Sequence, residues 1–117
     1  MALIMLTGAR LVNAAANSES GGRISEAPLV KSPFYIDYGL NVHIAASAFI
    51  HRNVYLGDNP VVPITIGEGT CVGPNTHILT VKHHVDWRHR EGIYGRSTVE
   101  PVMIGDDCFI GSNVTIM

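Results

Sequence analysis

The chain has 117 residues, 46% of them hydrophobic and 15% charged, with a formal net charge of −2. That is one domain at most, too apolar for a disordered segment and too evenly charged for a nucleic-acid partner. The apolar start from Ala2 to Leu6 is too short for a signal core and no other segment approaches a membrane span. Two cysteines, Cys71 and Cys108, make no disulfide framework and read as small apolar fillers, so a cytoplasmic protein is expected.

Residues 1–32 run through Ala14-Ala15-Ala16 into Asn17-Ser18-Glu19-Ser20-Gly21-Gly22. This predicts a short helix near Ala9 to Ala16 and a flexible link, with no chemistry of its own. From Pro33 the texture changes. Pro33-Phe34-Tyr35-Ile36-Asp37-Tyr38-Gly39-Leu40-Asn41-Val42-His43-Ile44 alternates apolar and polar side chains as a half-buried strand would. The domain is therefore drawn over 33–117.

A period of six then becomes explicit in three blocks: Ile44, Ile50, Leu56; Ile66, Val72, Ile78; and Ile104, Ile110, Ile116. Four residues after six of these anchors stands a small or compact side chain: Ala48, Val54, Thr70, Thr76, Cys108 and Val114. A helix needs spacings of three and four, and a plain strand needs two, so a period of six requires another geometry. A hexapeptide β-helix supplies it, with one short strand and one corner per hexapeptide and three hexapeptides per triangular coil. Three blocks of anchors make about three coils. A coil cannot bury its own interior, and stacking does that work even in a short chain.

The repeat is broken twice. The shorter break, from Gly57 to Ile64, holds Gly57-Asp58-Asn59-Pro60, a turn composition. The longer one, 80–101, carries His83, His84 and His89 among Asp86, Trp87, Arg88, Arg90 and Glu91. It is predicted as a loop without regular structure that leaves one corner. Long excursions inside a compact domain are usually functional, which directs attention to His83.

On these residues the chain resembles the maltose/galactoside O-acetyltransferases, hexapeptide-repeat acyltransferases. Pro33-Phe34-Tyr35, Asp37-Tyr38-Gly39, Asn41-Val42-His43-Ile44, Ile78 through His83 with Val85-Asp86, and Ile104 through Ser112 carry the likeness, over about the last 85 residues. The resemblance implies an all-β, left-handed parallel β-helix, a homotrimer with sites between subunits, and acetyl transfer from acetyl-CoA to a sugar hydroxyl, with no metal. His83 matches the catalytic histidine. An imidazole titrating near 6.5 can take the proton of a hydroxyl as it attacks a thioester. The backbone amide of Ser112 matches the oxyanion donor. Asp37, His51, Asp58 and Asn59 are the expected acceptor contacts, and Phe109 with Ser112 the expected cofactor contacts. His51 stands where the family usually has Asn, His84 where it usually has Pro, and Phe109 where Trp is common. The family's N-terminal helical segment is barely represented and its last coils are missing, so the chain reads as truncated at both ends.

Two other readings use the same residues. A remnant or scaffold subunit would keep the coils without the activity. A zinc protein of the γ-class carbonic anhydrase kind would take His84, His89 and His77 as ligands.

Overall fold

The structure, a computed structural model, describes residues 27–117. The helix expected near Ala9 to Ala16 lies outside those residues. In chain order the coil strands are β1 Leu29–Val30, β2 Phe34–Ile36, β3 Val42–Ile44, β4 Phe49–Ile50, β5 Val54–Gly57, β6 Ile64–Ile66, β7 Cys71–Val72 and β8 His77–Leu79. After the neck strands β9 Val81–Lys82 and β10 Thr98–Val99 come β11 Val102–Ile104, β12 Phe109–Ile110 and β13 Thr115–Ile116. The chain visits three parallel sheets in turn, with strand orders β1-β4-β7-β12, β2-β5-β8-β13 and β3-β6-β11. These are the three faces of a left-handed parallel β-helix. The first coil already contains Leu29–Val30, paired in parallel with Phe49–Ile50, and so begins four residues ahead of Pro33.

The period of six becomes a register. Val30, Ile50, Val72 and Ile110 form one inward column, and Ile36, Leu56, Ile78 and Ile116 a second. Ile44, Ile66 and Ile104 stack on the third face beside Val42, Ile64 and Val102. In the middle coils these side chains are essentially fully buried, whereas Val102, Ile104, Ile110 and Ile116, stacked on one side only, are partly buried. Each fully buried member contributes about 1.5–3 kcal/mol of hydrophobic stabilisation.

The compact residues that follow six of the anchors lie at or beside the corners. Thr70 and Thr76 are completely buried, and their hydroxyls donate to the carbonyls of Gly105 at 2.6 Å and Gly111 at 3.1 Å in the next coil. A threonine is tolerated inside because the neighbouring coil satisfies its hydroxyl. At the corner between the first and second faces, Asn53, Asn75 and Asn113 take φ of 60°, 59° and 58°. Asparagine is one of the few side chains that enters this left-handed region readily, so it recurs there.

The long excursion is more ordered than its composition predicts. Its base is an antiparallel neck in which Lys82 faces Thr98 and Val81 faces Val99. Lys82 Nζ meets Glu100 Oε2 at 2.6 Å across that neck. Beyond it lie two 3₁₀ turns, Trp87–His89 and Gly92–Tyr94. The first is capped by Asp86, whose carboxylate accepts from the Arg88 amide at 3.0 Å and also binds its guanidinium. A two-residue neck is invisible to periodicity because pairing, not pattern, defines it.

Candidate functional site

The corner from which the excursion leaves is a buried polar cluster. Thr80, fully buried, donates its hydroxyl to the Gly57 carbonyl at 2.7 Å and accepts from Asn59 Nδ2 at 2.6 Å. Asn59 Oδ1 accepts from the amides of Val61 and Val62. Asp58, 1% exposed, accepts through Oδ1 from the amides of Tyr38 and Gly39 and through Oδ2 from that of Leu40. Asp58 and Asn59, the expected acceptor contacts at this corner, are both buried. Asp58 ties this coil to the preceding one, and Asn59 joins its own turn to Thr80.

His83 follows the neck strand Val81–Lys82 and is exposed. The Ser97 hydroxyl, on the returning side, lies 3.3 Å from its Nδ1. In the tautomer where Nδ1 carries the proton and donates it to Ser97, Nε2 is left with the basic lone pair. A groove of ≈ 580 Å³ runs past this histidine, with Asp37 and Tyr55 on the second face, Leu79 and Val81 along the wall, and Lys82 and Arg90 from the loop. Two of the expected residues, Asp37 and His83, therefore share one groove. Tyr55 donates its phenol to Asp37 Oδ1 at 2.6 Å. That hydrogen bond, with partial burial and the nearby carboxylates of Asp37 and Asp58, pushes the phenol up to about 12.

The other expected residues gather elsewhere. His51, Phe109 and Ser112 line a smaller depression of ≈ 140 Å³ with Phe49, Cys71 and Gly73, mostly from the first face. At Gly73 the adjacent coils approach closely, since a Cβ there would come within 2.4 Å of the Gly111 carbonyl oxygen. The His51 ring meets the edge of Phe49, and Lys31 Nζ lies 5.6 Å from the centre of the Phe49 ring. Desolvation first, then the charges of Lys31 and Arg52, lowers the imidazole below its ordinary 6.5.

The histidines offered to zinc are not brought together. His84 and His89 approach with ring centres 5.6 Å apart, but His77 sits against the Tyr55 ring, and His89 Nδ1 faces Asp86 at 3.6 Å. Among the described residues no cluster of three or more His, Cys, Asp or Glu could hold a metal.

Sequence reasoning missed Tyr55 and Ser97. Tyr55 was legible in principle: it precedes the anchor Leu56, and stacking Leu56 on Ile36 sets it beside Asp37, which follows Ile36. Ser97 carries no such signal, because only the neck brings it to His83.

Residues 101–116 match the family profile described as the hexapeptide repeat of succinyl-transferase. The chain is 34% identical over 99 residues to nodulation protein L of Rhizobium meliloti, spanning 85% of this chain and 52% of that protein. It is 30% identical over 91 residues to the sophorolipid acetyltransferase of Starmerella bombicola, spanning 76% of this chain and 33% of that enzyme. Among solved structures it resembles a hexapeptide-repeat-containing acetyltransferase of Vibrio cholerae O1 biovar eltor, complexed with acetyl coenzyme A. The TM-score is 0.54 at 31% identity, over 75% of this chain and 49% of that one. The chain thus spans about half the length of these relatives, or less. With its stacked hexapeptide columns and these likenesses, the chain is a hexapeptide-repeat β-helix similar to the hexapeptide-repeat acetyltransferases.

Proposed function

We propose that this chain transfers acetyl from acetyl-CoA to a sugar hydroxyl, with His83 as general base. The observation that carries the reading is the setting of His83: its Nδ1 is met by Ser97 and it opens on a groove it shares with Asp37. The structural neighbour complexed with acetyl coenzyme A supports the donor, and the relative named for sophorolipid supports a hydroxyl-bearing acceptor. Acetyl-CoA supplies an acetyl group activated as a thioester. His83 Nε2 accepts the hydroxyl proton as the oxygen attacks the carbonyl carbon, and returns it to the departing thiolate. The Ser112 amide donates to the carbonyl oxygen as negative charge builds there.

In one chain His83 and Ser112 line different depressions. That separation supports a homotrimer in which the groove of one subunit meets the His51–Phe109–Ser112 strip of the next. Two unpaired cysteines suit a cytoplasmic setting.

The test is CoA release, followed with a thiol reagent, against maltose, glucose and a galactoside. Acceptor-dependent release that falls about 10²–10⁴-fold in His83→Ala is expected. Equal turnover in both proteins removes His83 from the mechanism, and release independent of any hydroxyl removes the sugar.

A further inference from the structure

Neither the repeat nor the histidine loop accounts for the pairing of Tyr55 with Asp37. The two side chains project from adjacent coils of the second face, one residue before and one residue after stacked core anchors. The Tyr55 ring packs against an aromatic neighbour. Its edge meets His77, with ring centres 5.7 Å apart and planes at 70° to one another. The phenol donates to Asp37 at 2.6 Å and occupies only Oδ1 of the carboxylate. Oδ2 has no partner among the described residues, and Asp37 borders the same groove as His83.

We propose that Tyr55 is a positioning residue for the acceptor: it fixes the Asp37 carboxylate so that Oδ2 receives a second hydroxyl while His83 takes the proton of the first. The role given to His83 rests on the acetyl-transfer reading; the Tyr55–Asp37 clamp does not. An ionised carboxylate only accepts hydrogen bonds, so an oxygen held open in the groove selects ligands that bring a donor. The acceptor class is then a polyhydroxylated ring, not an alcohol with one hydroxyl. A ligand that lacks the second donor forgoes that hydrogen bond and binds more weakly for it.

The experiment uses the full chain, as wild type, Tyr55→Phe and Asp37→Asn, with maltose and cyclohexanol as probes. Calorimetry should show maltose bound about tenfold more weakly by Tyr55→Phe, the loss of roughly one hydrogen bond. In acetyl transfer the same variant should raise KM for maltose about tenfold, with kcat and the KM for acetyl-CoA within about twofold and cyclohexanol unaffected. Phenol absorbance should reveal one tyrosine titrating far above the others, which Tyr55→Phe removes and Asp37→Asn returns to the ordinary range. Equal maltose affinity in wild type and Tyr55→Phe, no maltose binding by wild type, or no displaced phenol would each overturn the clamp. A kcat lowered equally for both alcohols would also overturn it, by assigning Tyr55 a merely structural role. Maltose binding that depends on Tyr55 without any acetyl transfer would sustain the clamp and sink the acetyl-transfer reading instead.

Discussion

The carboxylate of Asp58 lies 2.8 Å from the backbone nitrogen of Tyr38, twenty residues earlier, and closes the corner where the second face turns into the third. Tyr38, Gly39 and Leu40 all donate to it, and Asp58 itself is buried. Asp58→Ala strands three amides and should cost about 2–4 kcal/mol, from the loss of charge-assisted hydrogen bonds at a buried site. Urea unfolding of the variant measures it. A cost near zero would mean that water replaces the carboxylate without penalty.

Gly73 tests how closely the coils stack. A Cβ on this residue would sit 2.4 Å from the Gly111 carbonyl oxygen and 2.6 Å from its carbon, both backbone atoms that cannot swing aside. Gly73→Ala should destabilise by about 1–3 kcal/mol, as overpacking does. Thermal melting beside the same substitution at Gly111, where a Cβ meets nothing within 4 Å, isolates the collision from any general effect of alanine.

Ser97 acts through His83. Removing its hydroxyl in Ser97→Ala frees the ring and its tautomer, and should lower kcat about three- to tenfold with little change in either KM. The pH–rate profile should shift with it, which a purely structural role for Ser97 would not produce. Ser97→Thr keeps the hydroxyl and should recover most of the rate.

Tyr55 predicts an alkaline dependence of stability. Its phenol titrates at about 12 in the folded chain against an ordinary 10.0, so the unfolded chain releases the proton first as pH rises. The stabilisation from the Tyr55–Asp37 hydrogen bond is fully present below pH 10 and drains away between pH 10 and about 12. The difference in melting temperature between wild type and Tyr55→Phe should therefore narrow over that window.

His51 predicts the opposite flank. Desolvation, then Lys31 and Arg52, holds its imidazole below 6.5, so the unfolded chain takes up the proton first as pH falls. This contribution to stability is intact above pH 6.5 and lost on acidification towards the lowered folded value. An NMR titration of the ring should find it depressed, and Lys31→Ala should move it back up.

Spacing alone determined the scaffold. Nine aliphatic residues at intervals of six, followed by compact residues that stay inside, can be buried together only if each hexapeptide lies over the one a coil earlier, as Ile44, Ile66 and Ile104 do. The same regularity made the excursion at 80–101 and its His83 conspicuous. Tertiary structure decided what each polar residue does. Asp58 and Asn59 have the composition of an exposed turn, yet burial between coils turns them into internal ties. Ser97 reaches His83 only through the antiparallel neck, and Asp37 is committed to Tyr55 only because Ile36 stacks on Leu56. A periodic pattern specifies which side chains face inward, since that depends on local geometry. The partner of an outward or corner polar group depends on which distant segment packs beside it, and that is set by the fold as a whole.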